Sequence, residues 1–394
     1  MAKRAKPQHP AHQFAAPRPT ANPPHPQQSP LYKGSAFQPL PAPTGSAPYR
    51  LDLEAIVPDS VAAARKAGGM AFHMVGDTGG VKDPNPQLLV AGGLEHDAAV
   101  AGPYGTPAFF YHLGDVIYFD GQAQEYLPQF YDPYGHYPRP IMAIPGNHDG
   151  DVFDNGARTN PLPSLATFVR NFCAATPGQH SPDAGDAART AMIQPNVYWT
   201  LITPFATIIG LYTNVPEGGV VEPDQAAWFE GELAAAAGDR ALIVAMHHPI
   251  YSLDSYHSGS KTMARLLADS SAASKRQPDL VFAAHVHNYQ RFSVADARGG
   301  VTPFIVAGQG GYHNLHKVAK INGQPMMTPY TAQPGVVLES YYDDRFGFLR
   351  LEASAAEIAV AAYTVPRPQE AWDQPPRLFD SMRLDWRRRK IIPG

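Results

Sequence analysis

Residues 141–149 read IMAIPGNHD, a short apolar run that ends in a turn and three polar side chains. The apolar residues predict a buried strand, and the Pro-Gly pair predicts where it ends. Polar side chains at the carboxyl end of a strand are typical of ligand sites in layered α/β proteins. We expect Asn147 to offer a neutral oxygen ligand, His148 to donate a proton or a hydrogen bond, and Asp149 to orient the His148 imidazole.

The same arrangement of strand, glycine and carboxylate occurs twice earlier in the chain. The strand-like runs 71–75 and 108–113 are each followed by Gly-Asp, which places Asp77 and Asp115 at strand ends. The second aspartate could bridge two ions. Tyr118 lies three residues after Asp115, and its phenolate would suit a hard, highly charged ion such as Fe(III).

Two later strand-like runs end in histidine pairs, which are His247 with His248 and His285 with His287. Adjacent strand residues face opposite ways, so we expect one of His247 and His248 to be a ligand while the other points elsewhere. The i, i+2 spacing of His285 and His287 lets both rings reach one centre, with one ring for each of two ions.

Together these five segments supply carboxylate, amide, phenol and imidazole donors, which are ligand types suited to hard and borderline metal ions. Two ions held about 3.5–4 Å apart by such donors are the usual machinery of phosphate ester hydrolysis. His257, in the loop 252–260, is either a substrate contact or a surface histidine. The Gly-Gln-Gly-Gly loop at 308–311 either approaches the ions through its backbone or is a plain turn.

Strand-like runs alternate with helical patterns from about residue 55, which predicts a layered α/β fold of the α+β kind. The paired runs within 197–212 and 346–363 look like hairpins, so the sheets are expected to be mixed rather than purely parallel. Helices are predicted at 161–173, at 261–275 and at 226–237, the last opened by acids and a proline in its first turn.

Composition divides the chain into a leader, a catalytic domain and a tail. Residues 1–50 hold 12 of the 41 prolines and no Asp or Glu, so we expect a disordered, basic leader that is either a protein docking segment or simply solvated. The catalytic domain is predicted at 55–365 and a C-terminal tail at 366–394. The basic run 387–390 within that tail is expected to be solvated.

The bulk composition excludes several classes of protein. A net charge of −4 gives no general attraction to nucleic acid, and the single cysteine cannot form an intramolecular disulfide. No apolar run approaches the roughly 18 residues of a membrane span. The basic N-terminus lacks a following apolar region, so no signal peptide is visible and a cytoplasmic location is expected from the sequence.

The residues from about 70 to 312 resemble the calcineurin-like metallophosphoesterase superfamily, and within it the purple acid phosphatases. Other branches of that superfamily usually read Asp-x-His in the first segment, whereas this chain has Gly79. Tyr118 stands where purple acid phosphatases carry their ferric tyrosinate. The resemblance implies two mixed sheets packed as a sandwich, flanked by helices, with a binuclear metal site at the strand ends.

The resemblance also implies a distribution of ligands between two ions that share Asp115. Fe(III) would be held by Asp77, Asp115, Tyr118 and His287. Fe(II), Zn(II) or Mn(II) would be held by Asp115, Asn147, His247 and His285. His148 and His257 fall where the family places histidines that bind phosphate and protonate the leaving group, and Asp149, His248 and Gly79 are candidates for supporting or substrate-contacting positions.

The chain departs from the family pattern at a few positions beside the site. Asp149 stands where plant and animal purple acid phosphatases have Glu, Ala284 where Gly is usual, and Tyr256 where many members have a further histidine. None of these changes removes a predicted ligand. They bear instead on which substrate the site accepts.

The sequence thus predicts hydrolysis of phosphate monoesters on a small phosphorylated substrate, by in-line attack of a metal-bound hydroxide. One alternative is a phosphodiesterase acting on cyclic nucleotides or phospholipid headgroups. The pairing of Gly79 with Tyr118 argues against the usual cyclic-nucleotide branch but does not exclude diesters. The other alternative is a non-catalytic metal-binding scaffold that docks a partner through residues 1–50. Family members are usually secreted or periplasmic, in contrast to the location expected from the sequence.

Overall fold

The computed structural model describes residues 39–150, 163–213 and 219–392. The strands are β1 (Arg50–Asp52), β2 (Gly69–Val75), β3 (Phe110–His112), β4 (Ile141–Ala143), β5 (Trp199–Ile202), β6 (Ala206–Gly210), β7 (Ala241–Ala245), β8 (Leu280–Ala283), β9 (Tyr289–Ala295), β10 (Val301–Ala307), β11 (Tyr330–Gln333), β12 (Val336–Tyr342), β13 (Gly347–Ser354), β14 (Glu357–Thr364), β15 (Arg377–Asp385) and β16 (Lys390–Ile392). The helices are α1 (Pro58–Ala67), α2 (Asn85–Ala98), α3 (Asn147–Gly150), α4 (Ala166–Phe172), α5 (Pro223–Ala235) and α6 (Lys261–Ser274).

The strands form two mixed sheets, as the sequence predicts. One sheet has the order β16-β15-β14-β13-β2-β3-β4, and the other has the order β1-β5-β6-β7-β8-β10-β9-β12-β11. The runs β2-β3-β4 and β6-β7-β8-β10 are parallel. The predicted hairpins are the antiparallel pairs β5–β6 and β13–β14.

The two sheets pack face to face around one apolar core, which confirms the predicted sandwich. Phe72 of β2 and Tyr111 of β3 belong to the same buried cluster as Ile243 of β7 and Phe282 of β8, which lie in the opposite sheet. A polar contact also joins the sheets, because the indole N–H of Trp199 in β5 donates to the Ala143 carbonyl in β4 at 3.1 Å.

Helices cover the outer face of each sheet. Leu89 and Leu94 of α2 pack with Val75 of β2 and Phe110 of β3. These two strand residues lie on the opposite face of the sheet from Phe72, which faces the core between the sheets. On the other sheet, α5 and α6 pack over Leu242 and Val244 through side chains such as Phe229 and Met263. The helix α6 begins at a capping residue, since the Ser260 hydroxyl accepts a hydrogen bond from the Met263 amide at 3.2 Å.

The predicted C-terminal tail is instead partly strand. Residues 377–392 contain β15 and β16, and β15 pairs with β14 at the edge of the seven-stranded sheet. Met382, Leu384 and Trp386 alternate toward the core and are buried, a period-two pattern that the surrounding basic residues obscure in the sequence. The basic run 387–390 forms most of the turn between these two strands and begins β16 at Lys390, rather than being a free tail.

Most of the predicted leader, residues 1–38, lies outside the described residues. Within the remainder, Arg50 begins β1, which pairs in parallel with β5. The Arg50 guanidinium contacts the Glu232 carboxylate of α5 at 2.8 Å. Across the described ranges, none of the helices combines the length and apolar character that crossing a bilayer would require.

Candidate metal centre

The strand ends that carry the predicted donors meet at one edge of the sandwich. Asp77 follows β2, Asp115 follows β3 and His285 follows β8, and all three have positive φ angles of 56°, 52° and 66°. Non-glycine residues seldom adopt this left-handed region, which costs on the order of 1–3 kcal/mol for each residue and clusters at functional sites. The backbone therefore bends at three predicted ligands in a manner that turns their side chains toward one place.

One half of the centre is built around the amide oxygen of Asn147. This oxygen lies 3.1 Å from Nε2 of His247 and 3.0 Å from Nδ1 of His285. Nδ1 of His247 donates to the Leu113 carbonyl at 3.0 Å, so in the neutral ring the lone pair is on Nε2 and faces Asn147. Oδ2 of Asp115 lies 3.4 Å from the same Nε2 atom.

The other half is built around Asp77 and Tyr118. The buried Tyr118 hydroxyl donates to Oδ1 of Asp77 at 3.2 Å and lies 3.5 Å from Nε2 of His287. Nδ1 of His287 donates to the Asn314 carbonyl at 2.8 Å, so Nε2 is again the nitrogen that faces the centre. The second oxygen of Asp77 accepts from the His285 amide at 2.7 Å, which fixes the carboxylate.

The donor set fits bound cations. Ligand atoms of Asp77, Asp115 and His247 all lie within 4.8 Å of one another, and Asp115 stands between the two halves. All seven predicted ligands are buried. Buried carboxylates facing imidazoles and a phenol are the oxygen and nitrogen donors that transition-metal ions take.

The pKa values show how crowded the centre is with acidic oxygens. Burial, together with the Asp115 charge, raises the pKa of Asp77 well above its usual range. Burial opposes ionisation of Asp115 as well, but His247 and His148 more than offset it and lower the pKa of that carboxyl. Burial and the Asp77 charge raise the pKa of Tyr118. A cation would relieve the repulsion at Asp77 and would be needed to ionise the phenol.

Gly79 is required by the position of Tyr118. A Cβ atom at position 79 would lie 2.7 Å from Cδ2 of Tyr118 and 2.4 Å from Oε1 of Gln129. That glutamine is itself fixed, since it accepts from the Tyr118 amide at 2.9 Å and donates to the Tyr118 carbonyl at 2.8 Å. Any larger side chain at position 79 would therefore clash with the Tyr118 ring where it now lies, which is a physical reason for the pairing of Gly79 with Tyr118.

His148 lies at the rim of the centre and is half-buried. Its amide donates to Oδ1 of Asp115 at 2.9 Å, and Nδ1 of its ring donates to the Phe119 carbonyl at 2.8 Å. The ring centroid lies 4.6 Å from that of Tyr118. The ring is thus held beside the donors with Nε2 as its remaining nitrogen.

Asp149 does not orient the His148 imidazole, contrary to the prediction. Its carboxylate accepts from the backbone amides of Gly146 at 2.8 Å, Val116 at 3.1 Å and Ile117 at 3.2 Å. Burial raises the pKa of Asp149 to about 7. The Asp149 side chain therefore joins the loop after β3 to the loop after β4. The His148 imidazole is oriented instead by the Phe119 carbonyl.

The remaining two predicted histidines lie next to His285. His248 is buried, its Nδ1 is 2.8 Å from the Thr213 hydroxyl, and its ring centroid is 4.3 Å from that of His285. His248 thus packs against the predicted ligand His285, while the adjacent His247 faces the other donors. This is the opposite orientation that strand alternation predicts for two adjacent residues. His257 is half-buried on the outer side, with its ring centroid 4.6 Å from that of His285.

Two rings beside the centre were missed from the sequence. The Tyr312 ring stacks on Tyr118 at a centroid distance of 4.0 Å, and His316 lies 4.3 Å from His287 in the same measure. Both follow the loop 308–311, whose Gly310 amide donates to the Gly76 carbonyl at 3.1 Å. That loop therefore supports the backbone just before Asp77. The only sequence signal for Tyr312 and His316 was the high density of aromatic and histidine residues directly after the loop.

Comparison with known proteins agrees with this geometry. Residues 70–289, more than half of the chain, match the family described as calcineurin-like phosphoesterase. Purple acid phosphatase 21 of Arabidopsis thaliana is 35% identical over 182 residues, which are 44% of this chain and 36% of that protein. The chain therefore spans about a third of the length of this curated relative.

Solved structures share the fold at low sequence identity. The purple acid phosphatase PPD1 from yellow lupin (Lupinus luteus) seeds has a TM-score of 0.54 and 17% identity, covering 89% of this chain and 56% of that one. GAP50, described as the anchor in the inner membrane complex of Plasmodium, has a TM-score of 0.52 and 16% identity, covering 79% and 90%. With the family match and the shared sandwich, the chain belongs to the calcineurin-like phosphoesterase family and is similar to its purple acid phosphatases.

Proposed function

We propose that this phosphoesterase hydrolyses phosphate monoesters at a centre that holds two metal ions. The observation that carries the proposal is the convergence of two groups of donors on a shared carboxylate, Asp115. One group is Asp77, Tyr118 and His287, and the other is Asn147, His247 and His285. In the first group the facing oxygen and nitrogen atoms lie within 3.6 Å of one another, and in the second the Asn147 oxygen lies 3.1 Å and 3.0 Å from the two imidazole nitrogens, spacings suited to a single ion in each group.

The donor chemistry supports Fe(III) beside Tyr118 and Fe(II), Zn(II) or Mn(II) beside Asn147. Burial and Asp77 raise the pKa of the Tyr118 phenol, so only a strongly acidic ion would displace its proton. The Asn147 group lacks a phenol and offers an amide and two imidazoles, which suit a divalent ion.

Residues at the rim would act on the substrate. Two bound ions would activate a water for attack on phosphorus and draw charge from the phosphoryl oxygens. Because Nδ1 of His148 donates to the Phe119 carbonyl, Nε2 is the atom that would carry a proton to the leaving oxygen when the ring is doubly protonated. His257, against His285 and half-exposed, would donate a hydrogen bond to a phosphoryl oxygen.

The intact donor set favours an enzyme over a scaffold. The fold alone does not distinguish them, since one protein of similar structure is described as an anchor. A scaffold has no need to hold seven buried donors, of which three adopt left-handed backbone conformations. The conformational free energy that these left-handed residues cost is explained if the donors bind ions that take part in a reaction, since backbone strain of this kind clusters at functional sites.

The experiment that tests the function compares phenyl phosphate with diphenyl phosphate, side by side, on protein loaded with iron plus zinc or manganese. We expect a clear preference for the monoester, together with a visible absorption band from the ferric tyrosinate. A preference for the diester would redirect the search to nucleotide and headgroup diesters. No turnover of either ester with both metals bound would contradict the proposal, and a colourless active protein free of iron would contradict the metal assignment.

A further inference from the structure

A continuous series of side-chain rings leads from the metal centre to the surface. The His257 ring lies 4.6 Å from His285, and the His316 ring lies 4.3 Å from His287, measured between centroids. Both of these outer histidines contact Tyr256, with centroid distances of 4.8 Å and 5.2 Å. Tyr256 is therefore two rings away from a ligand of each proposed ion.

The Tyr256 ring is unusually open to solvent for an aromatic side chain. It is 69% exposed, and Phe379 is the other aromatic ring among the large exposed apolar side chains of the described ranges. The Phe379 ring of β15 packs on Tyr342 of β12, with ring centroids 4.6 Å apart, and within the described ranges it does not pack on the rings of Tyr256, His257 or His316. An open ring beside a reaction centre offers a face that a flat group of a ligand can cover.

The loop that carries Tyr256 is fixed by one carboxylate. Oδ2 of Asp254 accepts from the amides of Tyr256 and His257, each at 2.8 Å. Oδ1 of Asp254 accepts from the Asn288 side chain at 3.0 Å, next in the chain to His287. The loop is thus tied to the segment that supplies a proposed metal ligand, so little conformational freedom remains to be lost when a ligand stacks on it.

We propose that Tyr256, supported by His257 and His316, binds the leaving group of the substrate and selects phosphate esters whose alcohol carries a planar aromatic group. This inference rests on the proposed hydrolysis of phosphate esters at the neighbouring centre. With the phosphoryl group among the donors and rim histidines, the rest of the ester extends outward past His257 to Tyr256. A flat aryl or nucleoside group would stack on the phenol face, whereas an aliphatic polyol would not.

The test compares three esters on metal-loaded protein: phenyl phosphate, adenosine 5′-monophosphate and glycerol 2-phosphate. Tyr256→Leu removes the ring but keeps an apolar side chain, Tyr256→Phe keeps the ring, and Phe379→Leu is the matched control at the other exposed aromatic ring. Each variant is compared with the wild type on the same ester, so differences in leaving-group reactivity cancel. The change expected in kcat/KM is the roughly three- to tenfold scale of one aromatic pair.

We expect Tyr256→Leu to lower kcat/KM for the aromatic esters mainly through a higher KM, with less than about a twofold change for glycerol 2-phosphate. Tyr256→Phe and Phe379→Leu should stay within about twofold on all three esters. A loss on phenyl phosphate alone would assign the site to aryl esters, and a loss on adenosine monophosphate would extend it to nucleotides. An equal loss on all three esters, or no loss on either aromatic one, would overturn the proposal.

A binding measurement separates failure of this inference from failure of the proposed function. Phenylphosphonate and methylphosphonate differ in the ring but cannot be hydrolysed as esters. We expect phenylphosphonate to raise the melting temperature of the wild type more than methylphosphonate does, and Tyr256→Leu to remove that difference. If no ester is hydrolysed but this pattern appears, the aromatic site stands without the activity. If both phosphonates act alike on the wild type, the aromatic site is refuted.

Discussion

Replacing Gly79 by alanine tests whether glycine is needed to admit Tyr118 to the centre. The new methyl group would lie 2.7 Å from Cδ2 of Tyr118 and 2.4 Å from Oε1 of Gln129. To restore an ordinary contact of about 3.4 Å, the tyrosine ring would have to move by about 0.7 Å. Overpacking of a buried site in this way costs about 1–3 kcal/mol in the free energy of unfolding.

The same displacement should reduce activity. The Tyr118 hydroxyl is 3.2 Å from Asp77 and 3.5 Å from Nε2 of His287, so a shift of this size would pull it out of one donor group. Small misplacements of a reacting group typically cost up to about a hundredfold, and we expect kcat/KM to fall by about tenfold. If Fe(III) is bound by the phenol, its absorption band should weaken in parallel.

The chain supplies a matched control at Gly92 in α2. A Cβ atom there would meet nothing within 4 Å, so Gly92→Ala should leave activity unchanged and stabilise the fold by about 0.5–1 kcal/mol. Urea unfolding and phenyl phosphate turnover are measured for both variants. The reasoning is refuted if Gly79→Ala keeps both the stability and the kcat/KM of the wild type while the Gly92 control behaves as stated.

Three further predictions address the ligands, the loop clamp and the acid stability. Asn147→Ala and His287→Ala should each lower kcat/KM by roughly tenfold or more, because each removes a donor, and wild-type rates in both would count against the centre. Asp149→Ala should lower the free energy of unfolding by about 2–4 kcal/mol, since three buried amides lose their acceptor, and an unchanged urea midpoint would contradict this. Burial lowers the pKa of His112 to about 3, whereas a histidine in the unfolded chain titrates near about 6.5. Below pH 6.5 the unfolded chain therefore binds a proton at position 112 that the folded one does not, which costs the metal-free protein up to about 1.4 kcal/mol per pH unit down to pH 4, so His112→Gln should lose less stability than the wild type over that range.

The agreement between sequence and structure is greatest where the signal is local. Each predicted strand next to a donor is present, because runs of four to six mostly apolar residues favour a buried strand. The first three of these runs are also followed at once by glycine or proline, which marks where each strand ends. The strands β15 and β16 were missed because charged residues interrupt their alternation. They form because β15 pairs with β14 and β16 pairs with β15, rather than through their own composition. The burial of Met382 and Leu384 in β15 is a property of the assembled sheet.

The assignment of roles shows the same division. Asp149 and His148 are neighbours in the sequence, and adjacency suggested that one orients the other. In the fold the Asp149 carboxylate accepts from amides at Val116 and Ile117, more than thirty residues away. Tyr312 likewise lies almost two hundred residues from Tyr118, yet the two rings stack. Partners at such separations leave no local pattern in one sequence.

The sequence by itself determined which donors are present and that each follows a strand, because ligand type is a property of the residue and strand ends are encoded by nearby turns. Only the tertiary structure decided which atoms meet. It alone placed the Asn147 oxygen between His247 and His285 and turned the open face of Tyr256 toward solvent beside the centre. The physical reason is that these contacts depend on how two sheets pack and on the backbone conformation at each strand end, and neither is written in any short stretch of the chain.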